Sequence, residues 1–178
     1  MSYLKQRLQA EAQAKALAKR LRVIGRPVDV NQIAEDLKIS IQVIPLDDEL
    51  SGMAFTKAGS KFIIVNAAHH LNRRRFTICH EIAHHVLHAD ELSGRVHVDK
   101  TVFARNARSI TGEDLFEVEA NAFAAELLMP RSELRKIGQI DVNDDARVAL
   151  LAREFRVSAA AMAVRIENLV HREYETLT

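Results

Sequence analysis

The sequence turns on residues 80–84, His-Glu-Ile-Ala-His, within the run RFTICHEIAHHVLH from Arg75 to His88. Two imidazoles four residues apart meet on one side only if the backbone there is α-helical, since a turn takes about 3.6 residues and rises about 5.4 Å. At about 100° per residue, Phe76, Ile78, Cys79, Ile82, Ala83, Val86 and Leu87 sweep one broad apolar face, while His80, Glu81 and His84 share the opposite arc. A polar triplet interrupting an apolar helix is costly to bury unless a metal or hydrogen bonds compensate it. His80 and His84 are therefore read as ligands of one divalent ion, with a spacing that suits Zn2+.

The other histidines of the run have different assignments. His85 points away from the ligand arc and is expected to be a partly buried or surface histidine. His88 continues the stripe, but eight residues of helix rise about 12 Å, too far for one ion to be held by all three rings. It is expected to support a neighbour by hydrogen bonding. Leu87 and Asp90 stand where a metzincin has Gly and His, so a third ligand has to come from elsewhere.

The best source is TGEDLFEVEANAFAAELLMP, Thr111 to Pro130, because catalytic zinc sites often combine two histidines and a glutamate with an open position. Plotted as a helix, Phe116, Ala120, Phe123, Ala124, Leu127 and Leu128 form its buried stripe. Glu117 lies inside the edge of that stripe, whereas Glu119 groups with Glu126 on the outer side. An inward carboxylate needs a cation and an outward one does not, so the face favours Glu117, with Glu119 as the competitor. Asn121, one turn on, is placed to orient a ligating histidine through its free ring N–H.

Elsewhere the chain reads as helices around a few strands. Leu4, Leu8, Leu17, Leu21 and Ile24 recur at helical spacing up to Gly25 and Pro27, and Asp29 or Asn31 could cap a short helix over VNQIAEDLKI. SIQVIP, GMAFTK and KFIIVNA have strand character, with Gly59-Ser60 as a hairpin turn between the last two. Helices follow, with a final pair around ARVALLAREF and SAAAMAVRIENLV. His88 to Thr111 reads as a long loop. The expected fold is α+β: a mainly helical zincin-like domain, a small three-stranded antiparallel sheet and an active-site helix bearing the HExxH motif. A length of 178 residues favours a single domain, residues 1–178, with a catalytic core over 28–130 and a C-terminal helical part over 131–178.

Composition narrows the partners. Lys and Arg total 25 against 24 Asp and Glu, mostly interspersed, so no broad basic footprint for nucleic acid or anionic lipid stands out, and direct nucleic-acid binding is not expected. The triplet Arg73–Arg75 reads as a solvated or ion-paired helix entrance. The single cysteine, Cys79, cannot form an internal disulfide, MSYLKQRLQAEAQAK lacks the apolar stretch of a signal peptide, and no apolar run is long enough for a membrane span. The expected location is the cytoplasm.

RRRFTICHEIAHHVLH followed some thirty residues on by EVEANAFAAELLMP resembles the ImmA/IrrE family of gluzincin-like metallopeptidases. The likeness extends upstream through PVDVNQIAEDLKISIQV, SGMAF and FIIVN, and downstream to LAREFRVSAAAMAVRIENL, so it covers roughly Val28 to Leu169. It implies a small sheet packed on helices, zinc held by two histidines and a glutamate, and cleavage of helix-turn-helix transcriptional repressors. Those ligands fall on His80, His84 and Glu117, and the family's Glu followed four residues later by Asn or Asp falls on Glu117 and Asn121. Cys79 stands where members often have a small apolar residue. It packs as a small hydrophobe, with oxidation sensitivity as its alternative role.

The mechanism expected from this set has water at the open zinc position, with a pKa lowered toward about 7, and Glu81 as the base that takes its proton and delivers it to the departing amide nitrogen. The oxyanion donor is unassigned, with His69, His70, His97 and the arginines near Arg75 as candidates. GMAFTK could pair with an extended peptide if it lies at a sheet edge. The alternative to an endopeptidase is a non-catalytic, zinc-braced regulatory or toxin-like partner that binds a helix-turn-helix repressor or antitoxin. In either case the C-terminal helix pair is expected to dock a protein partner rather than DNA.

Overall fold

The computed structural model describes residues 3–92, 96–100, 112–138 and 140–175. Its elements run α1 (Tyr3–Arg20), α2 (Val30–Asp36), β1 (Ile39–Ile44), β2 (Leu50–Lys57), β3 (Ser60–Asn66), α3 (Leu71–Leu87), β4 (Val96–Lys100), α4 (Gly112–Leu128), α5 (Arg131–Ile137), α6 (Asp145–Phe155) and α7 (Ala159–Glu175). The class is α+β, as expected. Asp29 starts α2 by accepting from the backbone N–H groups of Asn31 at 3.0 Å and Gln32 at 3.1 Å, which satisfies two otherwise orphaned donors.

The sheet differs from the expected three-stranded antiparallel one. Among the described residues it has four strands in the order β1-β3-β2-β4, with β1 parallel to β3 and the other two pairings antiparallel. After β1 the chain passes to the far side of β3 before forming β2, so β1 and β3 run the same way; direction is a property of the connection, which strand composition does not encode. The β2–β3 hairpin turns through Ala58 and Gly59, both left-handed at φ 50° and 76°, as a tight two-residue connection requires.

The fourth strand lies in the stretch expected to be a loop. β4 pairs with β2 through Phe55 with Val96, Ala54 with His97 and Met53 with Val98. Of the rest of that expected loop, residues 88–92 form turns, and residues 93–95 and 101–111 lie outside the described residues. Because β2 is flanked by β3 and β4, its backbone is engaged on both sides, and GMAFTK is not the edge strand the peptide-pairing idea needed. Among the described residues the edges are β1 and β4.

Side-chain alternation then decides which residues reach the site. Ala54, Ile63 and Val65 are fully buried on the face packed against α3, while Phe55 and Phe62 stack on the opposite face with centroids 5.2 Å apart. His97 sits directly across from Ala54, so it shares the α3 face. α3 is wedged between this face and α4, which explains why its apolar side and its polar arc are both buried. Asn66 ties the β1–β2 connection to the start of the α3 segment: its amide accepts from Leu46 N and Ala68 N and donates to the carbonyls of Leu46, Asp47 and Leu50.

α1 runs along α4, but only Leu17 and Leu21 of the expected leucine stripe pack on the core. Ala10, Glu11, Ala14 and Leu17 are buried, whereas Leu4 and Leu8 are exposed and Ile24 lies beyond the helix. Alanines allow the helices to approach closely, and a pattern search weighted to large side chains misses such a face. Glu11 is tolerated there because Arg165 of α7 reaches it at 2.9 Å. The same guanidinium pairs with Glu126 of α4 and donates to the Met129 carbonyl at 3.1 Å. Glu126 is therefore not outward as expected: α1 and α7 cover the side of α4 that looks free when α4 is plotted alone.

The α6–α7 turn is fastened to the N-terminal end of α3. Asn72 donates to the Val157 carbonyl at 2.9 Å, and Arg75 donates to the Arg156 carbonyl at 3.2 Å and the Val28 carbonyl at 2.7 Å. Arg73 donates to Ser51 Oγ at 3.1 Å. Two of the three arginines thus hold the fold together, in line with a helix entrance rather than a ligand clamp. A single apolar cluster draws on every helix from α1 to α7, including Ala14, Ile33, Ile82, Phe123, Leu134, Leu151 and Met162.

Candidate metal centre

His80 and His84 project from successive turns of α3, almost fully buried, with their Nε2 atoms 3.1 Å apart. Glu117 of α4 faces both rings, its Oε2 at 3.3 Å from His80 Nε2 and its Oε1 at 3.4 Å from His84 Nε2. His97 of β4 closes the fourth side, with Nε2 at 3.1 Å from Glu117 Oε1 and its ring stacked on that of His84 at a centroid distance of 3.7 Å. One ligand atom from each of these four residues lies within 4.8 Å of the others. Donors around a small tetrahedral ion with bonds of about 2.0–2.1 Å stand about 3.3 Å apart; the separations among His80, His84 and Glu117 are 3.1–3.4 Å and the whole set of four stays within 4.8 Å.

His97 Nε2 is itself a buried atom with no hydrogen-bond partner. The short approach to Glu117 therefore does not satisfy it. A cation held by Glu117 would, since a neutral ring nitrogen beside it can offer its lone pair.

Both α3 rings are held from behind. Asn121, one turn beyond Glu117, places Oδ1 at 3.2 Å from His80 Nδ1. An amide oxygen only accepts, so His80 donates from Nδ1 and keeps its Nε2 lone pair for the cluster. His84 is held through two residues: its Nδ1 lies 3.1 Å from His88 Nδ1, and His88 Nε2 lies 2.9 Å from Glu119 Oε2. The carboxylate accepts from His88 Nε2–H, which leaves His88 Nδ1 as an acceptor and makes His84 the donor at Nδ1. His84 Nε2 is then free to bind a cation. His88 thus takes the supporting position expected of it, and Glu119, expected on the outer side, turns to His88. His85 points away from the cluster to the Phe62 carbonyl at 3.0 Å.

Burial pushes the His84 pKa down from its ordinary 6.5 to about 3, so the ring is neutral over the physiological range, the form that binds metals. His85 and His88 are lowered by burial as well. Burial alone would raise the Glu117 carboxyl, but in the metal-free centre, where the Nε2 atoms can carry protons, hydrogen bonding from the His80 and His84 rings outweighs it and holds the group well below the usual carboxylate range. An anionic carboxylate among neutral imidazoles is a donor set for a divalent cation.

Glu81 is fully buried between the two α3 histidines in sequence. A Cβ added at Gly52 would lie 2.6 Å from Thr77 Cγ2, 2.9 Å from the Ile64 carbonyl oxygen and 3.5 Å from Glu81 Oε1. Glycine here lets β2 approach the first half of α3 closely enough to wall in the glutamate. Cys79 is fully buried and its thiol is pushed up to about 12 by burial, which removes the oxidation-sensitive alternative. Of the other suggested polar groups, His70 caps α3 by accepting from Asn72 N at 3.2 Å.

Among the described residues, no helix is long and apolar enough to cross a membrane. The sequence matches the IrrE N-terminal-like domain family over residues 34–167. It is also 35% identical over 94 residues to a protein of Bacillus phage phi105 described as an uncharacterized immunity region protein 2. That alignment takes in 52% of this chain and 54% of the phage protein, so the chain spans about half the length of the relative it matches.

Proposed function

The chain belongs to the IrrE N-terminal-like family of metallopeptidase type, and from that footing we propose that it is a zinc-dependent endopeptidase that cuts a helix-turn-helix transcriptional repressor. The observation that carries the reading is the convergence of His80, His84, Glu117 and His97 beside a buried glutamate. The immunity-region description of the phage relative supports a repressor as the substrate.

In this reading His80, His84 and Glu117 hold Zn2+, which would supply a Lewis acid for the scissile carbonyl and make water acidic enough to lose a proton near neutral pH. Glu81 accepts that proton and returns it to the departing amide nitrogen, a transfer favoured by a carboxylate whose surroundings exclude bulk water. Asn121 fixes the His80 ring, and the His88–Glu119 pair fixes the His84 ring. Residues 28–130 carry the chemistry, and the helices of 131–178 engage the protein partner.

The test is to incubate zinc-loaded protein and its Glu81→Gln variant with candidate repressors and look for fragments by mass spectrometry. Fragments from the wild type alone support the proposal; fragments from neither protein, with repression relieved equally by both, reject it. A second reading, a non-catalytic partner braced by zinc, is favoured by one feature: four protein donors around an ion describe a closed structural site. For that partner Glu81→Gln is neutral.

A further inference from the structure

We propose that His97 is an exchangeable fourth ligand, which completes a closed metal centre in the resting protein and has to leave before a substrate can be engaged. The inference rests on the metallopeptidase reading and deepens it. A hydrolytic centre keeps one position open, whereas this cluster presents four protein donors.

His97 differs from the other three. His80, His84 and Glu117 stand on α3 and α4, two helices packed against each other in the core, and the outer nitrogens of both histidines are fixed by Asn121 and His88. His97 stands on β4, a five-residue strand that among the described residues pairs on one side, with β2, next to an irregularity between Leu50 and Gly52. Its side chain is 24% exposed against 3% for His80 and 2% for His84, close to the 22% of Glu117, so what sets it apart from the carboxylate is its strand rather than its exposure. Short edge strands sit at the low-stability end of a fold, where local opening costs least. Its buried Nε2 lacks a hydrogen bond and lies 3.1 Å from Glu117 Oε1, where an ion held by that carboxylate would satisfy it.

The register provides the device. His97 is directly opposite Ala54, and a small shift of β4 along or away from β2 would withdraw the ring without disturbing α3 or α4. A substrate peptide that engages the β4 edge would then open the centre by the same act that binds it. Small peptides that do not reach the strand are then expected to escape cleavage.

Cobalt(II) alone is the probe, read by visible absorption and by dissociation constant, with azide as a small competing ligand. The wild type is expected to bind one cobalt with a four-coordinate spectrum that azide does not alter. His97→Ala and His97→Gln are expected to keep one cobalt, to bind it on the order of tenfold or more weakly, since loss even of outer-shell support costs about 10- to 100-fold, and to shift their spectra on azide addition. Identical spectra, affinities and azide responses in wild type and both variants would overturn the proposal while leaving the metal centre standing. Failure of folded wild-type protein to bind cobalt at all would sink the metallopeptidase reading itself.

Discussion

The support behind His84 makes a quantitative prediction about metal affinity. His84 Nδ1 and His88 Nδ1 are 3.1 Å apart and both rings are buried, so truncating His88 to Ala leaves the His84 N–H without an acceptor where water is largely excluded. Leaving a buried donor unmade costs about 1–3 kcal/mol. The apo protein can relieve that cost by turning the ring, but the metal-bound form cannot, so the penalty falls mainly on binding. At about 1.4 kcal/mol per decade, zinc affinity is expected to fall roughly 5- to 100-fold. Glu119→Gln should cost less than His88→Ala: its side chain is 20% exposed and glutamine retains an acceptor oxygen for His88 Nε2–H. Competition with a chromophoric chelator measures both, alongside circular dichroism to show that the fold is intact. The reasoning is refuted if His88→Ala leaves the affinity within about twofold, or if Glu119→Gln abolishes binding while Glu117→Gln spares it.

Two further outcomes follow from buried charge. Arg165→Met removes the cation between Glu11 and Glu126, and breaking a buried pair in this way costs about 3–5 kcal/mol; urea unfolding should show it, and adding Glu11→Gln and Glu126→Leu should recover most of the loss. In the metal-free protein His84 titrates near 3 folded against an ordinary 6.5, so the unfolded chain binds more protons between those values. Stability is complete above about 6.5 and falls as pH drops toward about 3, which a series of urea midpoints should record, with a shallower slope in His84→Asn.

The sequence was most legible where the relevant contacts are local. HExxH fixes both its helix and its ring pair within five residues. Glu117 and Asn121 emerge from the periodicity of one helix, because a single buried stripe separates an inward carboxylate from its neighbours. His97 was harder to read. Val96-His97-Val98 does alternate as a strand, but only pairing with Ala54, more than forty residues earlier, puts the ring on the α3 face. Glu126 was misplaced for a related reason: the partner that makes its burial tolerable is Arg165, on another helix. The parallel pairing of β1 with β3 likewise depends on the path of a connection rather than on strand composition. Family likeness reached the catalytic motif and the sheet, and the residue match over 34–167 agrees with it. The alanine face of α1 lay outside that likeness.

The fastening of the α6–α7 turn to the first turn of α3 gives the C-terminal hairpin mechanical leverage. Asn72 and Arg75 grip two carbonyls of that turn just ahead of His80 on the same rigid rod. Under the proposed docking role, a partner that grasped the hairpin from outside would tug on the shaft that carries the imidazoles, and binding it would bear directly on the metal centre.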